Sequence, residues 1–272
     1  MIDTSCPIGV FDSGVGGLSV LRALRAELPQ EQFVYVADSG HAPYGERNDE
    51  HVIARTHAIA LHLLERHRIK ALVVACNTAT AAAIRLLRDT HPGLPIIGIE
   101  PALKPAAQTS KTGVIGVMAT RGTLNSEKFR ALLQSLHGKA TFVLQPCDGL
   151  ANAIECDDAI KIEALCAYYT GAMGQFGLNS GQMDTLVLGC THYVFATPQL
   201  RSLLGNSVAF IDTGAPVARQ TRRLLAAAGR LNPTGQGTVT LLSTGQRHAL
   251  VQAAQRWLDL PTMAQQRDVV VI

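Results

Sequence analysis

The sequence predicts an α/β protein made of two similar parallel-sheet α/β domains, related by pseudo-symmetry, with the functional cleft between them. Three observations predict it. Short apolar, β-branched runs alternate with helix-forming runs, the pattern of parallel strands joined by right-handed crossovers. Polar or glycine-rich turns stand where those strands end. A phrase also repeats: ALVVACNT at 71–78 and TLVLGCTH at 185–192 each end an apolar run on a cysteine followed by polar residues. Cys76 and Cys190 lie 114 residues apart, and the IGV triplets at 8–10 and 115–117 lie 107 apart. Two pairs at nearly one offset point to an internal duplication, with a period too long for a solenoid.

The bulk composition narrows the classes. A chain of 272 residues suits two domains better than one. An apolar content of 47% with 17% charged residues is that of an ordinary soluble enzyme or binding protein. The net charge of +3 is small and unclustered, so nothing points to nucleic acid or a membrane surface. The first residues lack the basic head and apolar core of a secretory signal, and no apolar run nears the roughly 20 residues of a span. A cytoplasmic location is the expectation. The six cysteines are too dilute for a disulfide framework and are expected to be reduced.

Taken in order, residues 8–11 form a strand and DSGVGG at 12–17 a turn. Leu18, Leu21, Leu24 and Leu28 then recur at helical spacing until Pro29 stops the helix. Residues 32–37 form a second strand, followed by the polar loop DSGHAPYG at 38–45. A helix over 49–67, with Ile53, Ile59, Leu63 and Leu64 on one side, leads into the cysteine strand. Its His57, His62 and His67 are spaced by five, keep no common face, and are expected in solvent. A helix over 79–89 and a strand over 94–99 complete the first unit, and EPALKP at 100–105 marks the crossing.

The second unit opens on a strand from 113, with Thr120 in the place of Ser13. A strand over 140–144, a helix over 149–169 and a glycine-rich loop over 170–181 precede the second cysteine strand. Beyond it stand a strand over 207–211, the DTGAP turn with a helix through 225, a strand over 238–242 and a helix over 248–258. Residues 1–99 with 208–272 are expected to form the first domain, on the Cys76 side, and 100–207 the second, on the Cys190 side.

Cys76 stands at a strand's carboxyl end beside the free amides of a helix start, a position expected to lower a thiol pKa and bind anions. One such cysteine reads most simply as a small buried residue. Two in matching places of duplicated halves read as a reactive pair. An ordinary thiol is only a few per cent ionised at neutral pH, so local help is required. His192, two residues after Cys190, can supply it. A metal is not expected there, because no further ligand pair completes a set. The DSGVGG loop could cradle a carboxylate or phosphate. It is neither a Walker loop, lacking Gly-Lys-[Ser/Thr], nor GxGxxG, since Ser19 occupies the last glycine's place. Its glycines read as a tight turn, and Asp12 and Ser13 at the strand end are better placed for function.

FDSGVGGLS at 11–19, AD at 37–38 with PYG at 43–45, ACNT at 75–78 and LGCTHY at 188–193, in this order, resemble the glutamate racemases of the aspartate/glutamate racemase superfamily. The resemblance runs from residue 8 to the turn at 212–214, and more loosely beyond. It implies two α/β domains with the substrate between them and one cysteine on each side, working without pyridoxal phosphate, other cofactor or metal. It implies that Cys76 takes the α-proton from D-glutamate and Cys190 from L-glutamate. Asp12 would assist Cys76, while His192 and Glu155 would assist Cys190. Ser13, Tyr44, Gly45, Asn77, Thr78, Thr120 and Thr191, with Asp12 and His192, would hold the substrate's carboxylates and ammonium. A homodimer supplying D-glutamate for peptidoglycan is implied as well. Val194 departs from the family, where proline is frequent, and 147–155 matches loosely.

Three other readings share these features. An aspartate or hydantoin racemase would use the same chemistry, but the PYG loop and the CTHY phrase favour glutamate. An amino-acid-binding protein would use a similar cleft and have no need of matched cysteines. A cysteine hydrolase built on Cys190 and His192 would leave Cys76 unexplained.

Overall fold

The structure, a computed structural model, describes residues 3–258 and 266–269. Two sheets form, both parallel throughout. The first contains β1 (Ile8–Asp12), β2 (Phe33–Ala37), β3 (Ala71–Val74), β4 (Ile96–Gly98), β9 (Val239–Ser243) and β10 (Gln266–Val269). The second contains β5 (Val114–Ala119), β6 (Thr141–Pro146), β7 (Thr185–Leu188) and β8 (Ala209–Ile211). Their orders are β10-β9-β2-β1-β3-β4 and β6-β5-β7-β8. The run β2-β1-β3-β4 therefore recurs as β6-β5-β7-β8, the architecture expected of the repeated phrase. β10 is an added edge strand that the sequence pattern did not suggest.

Register places the site. Asp12 pairs with Ala37, and Phe11 with Val74, so Asp12, Asp38 and Cys76 leave the first sheet along one edge. Met118 pairs with Leu188 and Ala119 with Pro146, so Thr120, Cys147 and Cys190 leave the second sheet along its matching edge. These are the carboxyl ends, where parallel sheets bind ligands.

The helices follow from capping and apolar spacing. Leu18–Glu27 buries Leu18, Leu21 and Leu24 before Pro29 ends it. Asp49–His67 begins at Asn48, whose side chain accepts a hydrogen bond from the His51 N–H, and ends on Arg68 in the left-handed region. Its inward face is Val52, Thr56, Ile59, Ala60 and Leu63, which keeps Ile59 and Leu63 of the expected stripe and leaves Ile53 and Leu64 half-buried. His57, His62 and His67 are half-buried rather than solvated. The last two rings lie 5.5 Å apart, and burial pushes the His62 pKa down.

Two expectations for the second half are corrected. The helix predicted over 149–169 is broken into Leu150–Glu155 and Ala159–Met173, and the loop predicted from 170 starts after Met173. The break sits where Asp157 takes a positive φ and Asp158 caps the second helix by accepting from the Lys161 N–H. The strand expected to rejoin the first unit at 208 instead pairs with β7, Thr185 opposite Ala209. β8 extends the nearest open edge of the second sheet, and the chain returns only afterwards. It does so through the helix Gly214–Ala227, which packs on Leu18–Glu27.

One apolar cluster runs through both units, joining Ile8, Leu21 and Val73 of the first to Met118, Leu188 and Tyr193 of the second. Separate clusters fill the outer faces of each sheet. The six cysteines are free. Among the described residues no helix is long and apolar enough to cross a membrane, and no group of three or more His, Cys, Asp or Glu could hold a metal.

Candidate active site

Loops from both sheets close around one cavity. Asp12, Ser13, Tyr44, Gly45, Cys76, Asn77 and Thr78 line it from the first unit, and Thr120, Glu155, Cys190, Thr191 and His192 from the second. Every residue singled out in the sequence is thus brought to one place. Pro43 of the PYG motif completes the wall with Ala42, Ala151 and Asn152, which motif reading gave no role.

On the first side β1 delivers Asp12, which is fully buried. Its Oδ1 accepts from the Ser13 N–H at 2.6 Å and the Ser13 hydroxyl at 3.2 Å. Its Oδ2 accepts from the Thr191 hydroxyl at 3.0 Å, a bond between the two units. Cys76 caps the helix Asn77–Thr90, accepting from the Ala79 N–H at 3.5 Å, and its thiol points to the Ser13 hydroxyl at 3.7 Å. The lowered thiol pKa expected of this position is overturned. Burial and then the Asp12 charge push the Cys76 thiol up, outweighing the Ala79 and Ser13 hydrogen bonds. Burial likewise raises the Asp12 carboxyl.

The second side is arranged differently. β7 ends before Cys190, and Thr191–Ala196 forms a 3₁₀ turn. Cys190 Sγ lies 3.8 Å from His192 Nδ1, and His192 Nε2 lies 2.9 Å from Glu155 Oε2. Glu155 also accepts from the Val15 N–H and from the Ser39 hydroxyl, each at 2.8 Å. Burial works against a charged His192, but its hydrogen bonds to Cys190 and Glu155 and the nearby negative charges hold its pKa well above the usual value. Burial opposes ionisation of Glu155 too, and is outweighed by His192, Val15 and Ser39. Nε2 also meets the Gly16 N–H at 3.3 Å, but the Glu155 carboxylate is nearer and charged, which assigns a proton to Nε2.

The glycine loop is more than a turn. A Cβ on Gly14 would stand 2.2 Å from Glu155 Oε2, and one on Gly16 2.3 Å from His192 Nδ1. The loop is bare because the second unit's acid and imidazole rest on it. Thr78 and Thr120 add a hydroxyl contact of 3.0 Å between the units, and a Cβ on Gly45 would meet Thr120 Cβ at 2.7 Å.

Asp38, wholly buried, anchors the Tyr44 loop. It accepts from Tyr44 at 2.5 Å, from Arg55 through both oxygens at 2.8 and 2.9 Å, and from Thr244 at 2.7 Å. Burial disfavours its charge, but these donors keep the carboxyl below its ordinary value. Arg55→Ala strands that carboxylate, so urea unfolding at neutral pH is expected to show a loss of about 3 kcal/mol. Arg55→Lys recovers only part of this, because an ammonium does not span both oxygens.

Asn77 stands apart. Its amide is buried, neither Oδ1 nor Nδ2 has a hydrogen-bond partner within the protein, and the residue lines both this cavity and a neighbouring one beside Thr80 and Pro101. Buried amides are normally satisfied, so this one is left with its full hydrogen-bonding capacity unused by the protein.

An α/β enzyme with one thiol at each wall of a shared cavity, each backed by a carboxylate or imidazole, belongs to the amino-acid racemases, which are isomerases. The chain is a member of the Asp/Glu/Hydantoin racemase family, whose model matches residues 8–221. A glutamate racemase of Ectopseudomonas mendocina is 52% identical to it over 225 residues, covering 83% of this chain and 84% of the relative. The solved glutamate racemase of Bacillus anthracis, isoform RacE1, superposes with a TM-score of 0.85 at 30% identity, over 99% of this chain and 98% of that one. The Escherichia coli glutamate racemase, solved with L-glutamate and the activator UDP-MurNAc-Ala, gives 0.78 at 28% identity, over 92% of this chain and 95% of that one.

Proposed function

We propose that this chain interconverts L- and D-glutamate by a two-base mechanism, Cys190 deprotonating the L enantiomer and Cys76 the D enantiomer. The observation that carries the reading is the pair of buried thiols entering one cavity from the matching strand ends of two sheets. Inversion requires a base on one face of Cα and an acid on the other. The two sides differ in a useful way. His192 turns Nδ1 to Cys190 and Nε2 to Glu155, so an imidazole backed by a carboxylate stands beside the second thiol to relay its proton. Cys76, held protonated by burial and by Asp12, is the matching acid. Cys190 removes the α-proton, Cys76 returns one to the opposite face, and the reverse reaction starts from the opposite protonation state.

Asp12 keeps the first thiol supplied with a proton-accepting neighbour, and Ser13, Tyr44, Gly45, Thr78, Thr120 and Thr191 hold the substrate's carboxylates and ammonium. No lysine stands among the described residues lining the cavity, so the Schiff base of a pyridoxal-phosphate racemase has no anchor there. The reading works without that cofactor. It takes the two sheets as two domains, residues 100–211 on the Cys190 side and the rest on the Cys76 side. The kinship with glutamate racemases supports a cytoplasmic homodimer that feeds D-glutamate to peptidoglycan and binds neither nucleic acid nor membrane.

Circular dichroism of L-glutamate, then D-glutamate, incubated with the enzyme in D₂O without added cofactor tests the proposal. Loss of optical activity from both is expected. Loss with aspartate alone would keep the chemistry and change the substrate, and no loss with either would sink the reading. Asn77→Ala removes the unpartnered amide, so KM should rise about tenfold or more with a smaller change in kcat. Initial rates across substrate concentration read that split.

A further inference from the structure

We infer that Ser39 is a positioning residue for the Cys190 side of the reaction, acting across the two units through Glu155. The inference rests on the function proposed above and goes beyond the residues the family resemblance names.

The geometry is specific. Glu155 Oε2 already takes two donors, the Val15 N–H at 2.8 Å and His192 Nε2 at 2.9 Å. The other oxygen, Oε1, takes the Ser39 hydroxyl at 2.8 Å. Two points fix a planar carboxylate against rotation, so Ser39 decides which oxygen His192 meets. Ser39 is absent from the cavity wall, and its effect on the substrate passes through Glu155, His192 and Cys190 in turn.

Ser39 is itself held. The Gly40 N–H donates to Thr244 Oγ1 at 3.1 Å, and a Cβ on Gly40 would stand 2.7 Å from the Thr244 carbonyl. The Thr244 hydroxyl in turn donates to Asp38, the residue beside Ser39. A turn after β9 therefore presses the Ser39 loop into place, and the bond to Glu155 is made between elements 116 residues apart in the chain. It forms only when the two units stand in this mutual position. Ser39 thus couples the closed arrangement to the charge state of the imidazole. The titratable groups around Glu155 are His192, in contact, with Asp12 and Tyr35 close enough to feel its charge.

Three proteins are compared: the wild type, Ser39→Ala and Ser39→Thr. For Ser39→Ala, kcat should fall about tenfold, the effect of losing one charge-assisted hydrogen bond, with KM changed less. The acid limb of its kcat/KM profile should move to higher pH, because Glu155 loses a donor that favours its ionised form. Ser39→Thr, which keeps the hydroxyl, should restore both. The imidazole ¹⁵N signals of His192 in substrate-free protein should shift in Ser39→Ala and not in Ser39→Thr, a readout independent of turnover. A Ser39→Ala enzyme matching the wild type in kcat and pH profile overturns the inference while leaving glutamate racemisation intact. So does a loss that Ser39→Thr fails to recover. A wild-type enzyme inert toward glutamate, with His192 signals unmoved by Ser39→Ala, overturns both.

Discussion

Cys76→Ser and Cys190→Ser should each lower kcat by about 10³-fold in both directions, since each turnover uses one side as base and the other as acid. A hydroxyl is too weak an acid and its alkoxide too rarely formed to serve in either role. The two variants should not look different in kcat/KM measured from L- and D-glutamate. The enantiomers are equal in free energy, so those two values stay equal in every variant. The asymmetry appears in isotope effects. In Cys76→Ser the proton taken from D-glutamate leaves in the slow step, so α-deuterated D-glutamate should show an enlarged effect. From the L side, Cys190 still removes the proton rapidly and reprotonation is slow, so the effect there should shrink. Cys190→Ser should give the mirror image. Identical isotope effects in both variants would remove the assignment of faces.

Gly16→Ala should be nearly as damaging. Its Cβ would lie 2.3 Å from His192 Nδ1, the nitrogen that faces Cys190. Either the imidazole turns away, breaking its contacts with Cys190 and Glu155, or the loop retreats and opens the seam between the units. Both outcomes remove the imidazole from beside Cys190, and a fall in kcat of about 10²-fold or more is expected. Gly14→Ala meets Glu155 at 2.2 Å and should act in the same direction. Overpacking also costs about 1–3 kcal/mol of stability, so thermal melting should be measured beside the rates. A Gly16→Ala enzyme with wild-type kcat would show that the loop's bareness is only turn geometry.

The fold was legible because apolar runs, turns and the cysteine phrase repeat at nearly one offset. Parallel strands buried on both faces leave that record plainly. Residues at strand ends, such as Asp12, Cys76, Thr120 and Cys190, were legible for the same reason: a strand's end is visible in sequence, and sites gather there. What escaped depends on contacts between distant segments. Nothing near residue 208 says that β8 adds to β7 instead of rejoining the first sheet. Nothing in DSGVGG says that Glu155 and His192 rest on Gly14 and Gly16, so the glycines read as an ordinary turn. Within the polar loop at 38–45 nothing distinguishes Ser39, because its partner lies on a helix in the other half. The Cys76 pKa was misjudged from local structure alone. A helix start favours the thiolate, but burial beside the Asp12 carboxylate is the stronger influence, and only the assembled fold reveals it.

The central claim is that the proton leaves on one face and arrives on the other from a different group. L-glutamate incubated in D₂O and sampled over the first few per cent of conversion tests it most directly, by the deuterium content of each enantiomer. Two bases predict D-glutamate fully deuterated at Cα and recovered L-glutamate still protonated, with the converse from D-glutamate. Undeuterated product, or deuterium entering the recovered substrate as fast as it enters the product, would mean that one base serves both faces and would contradict the account.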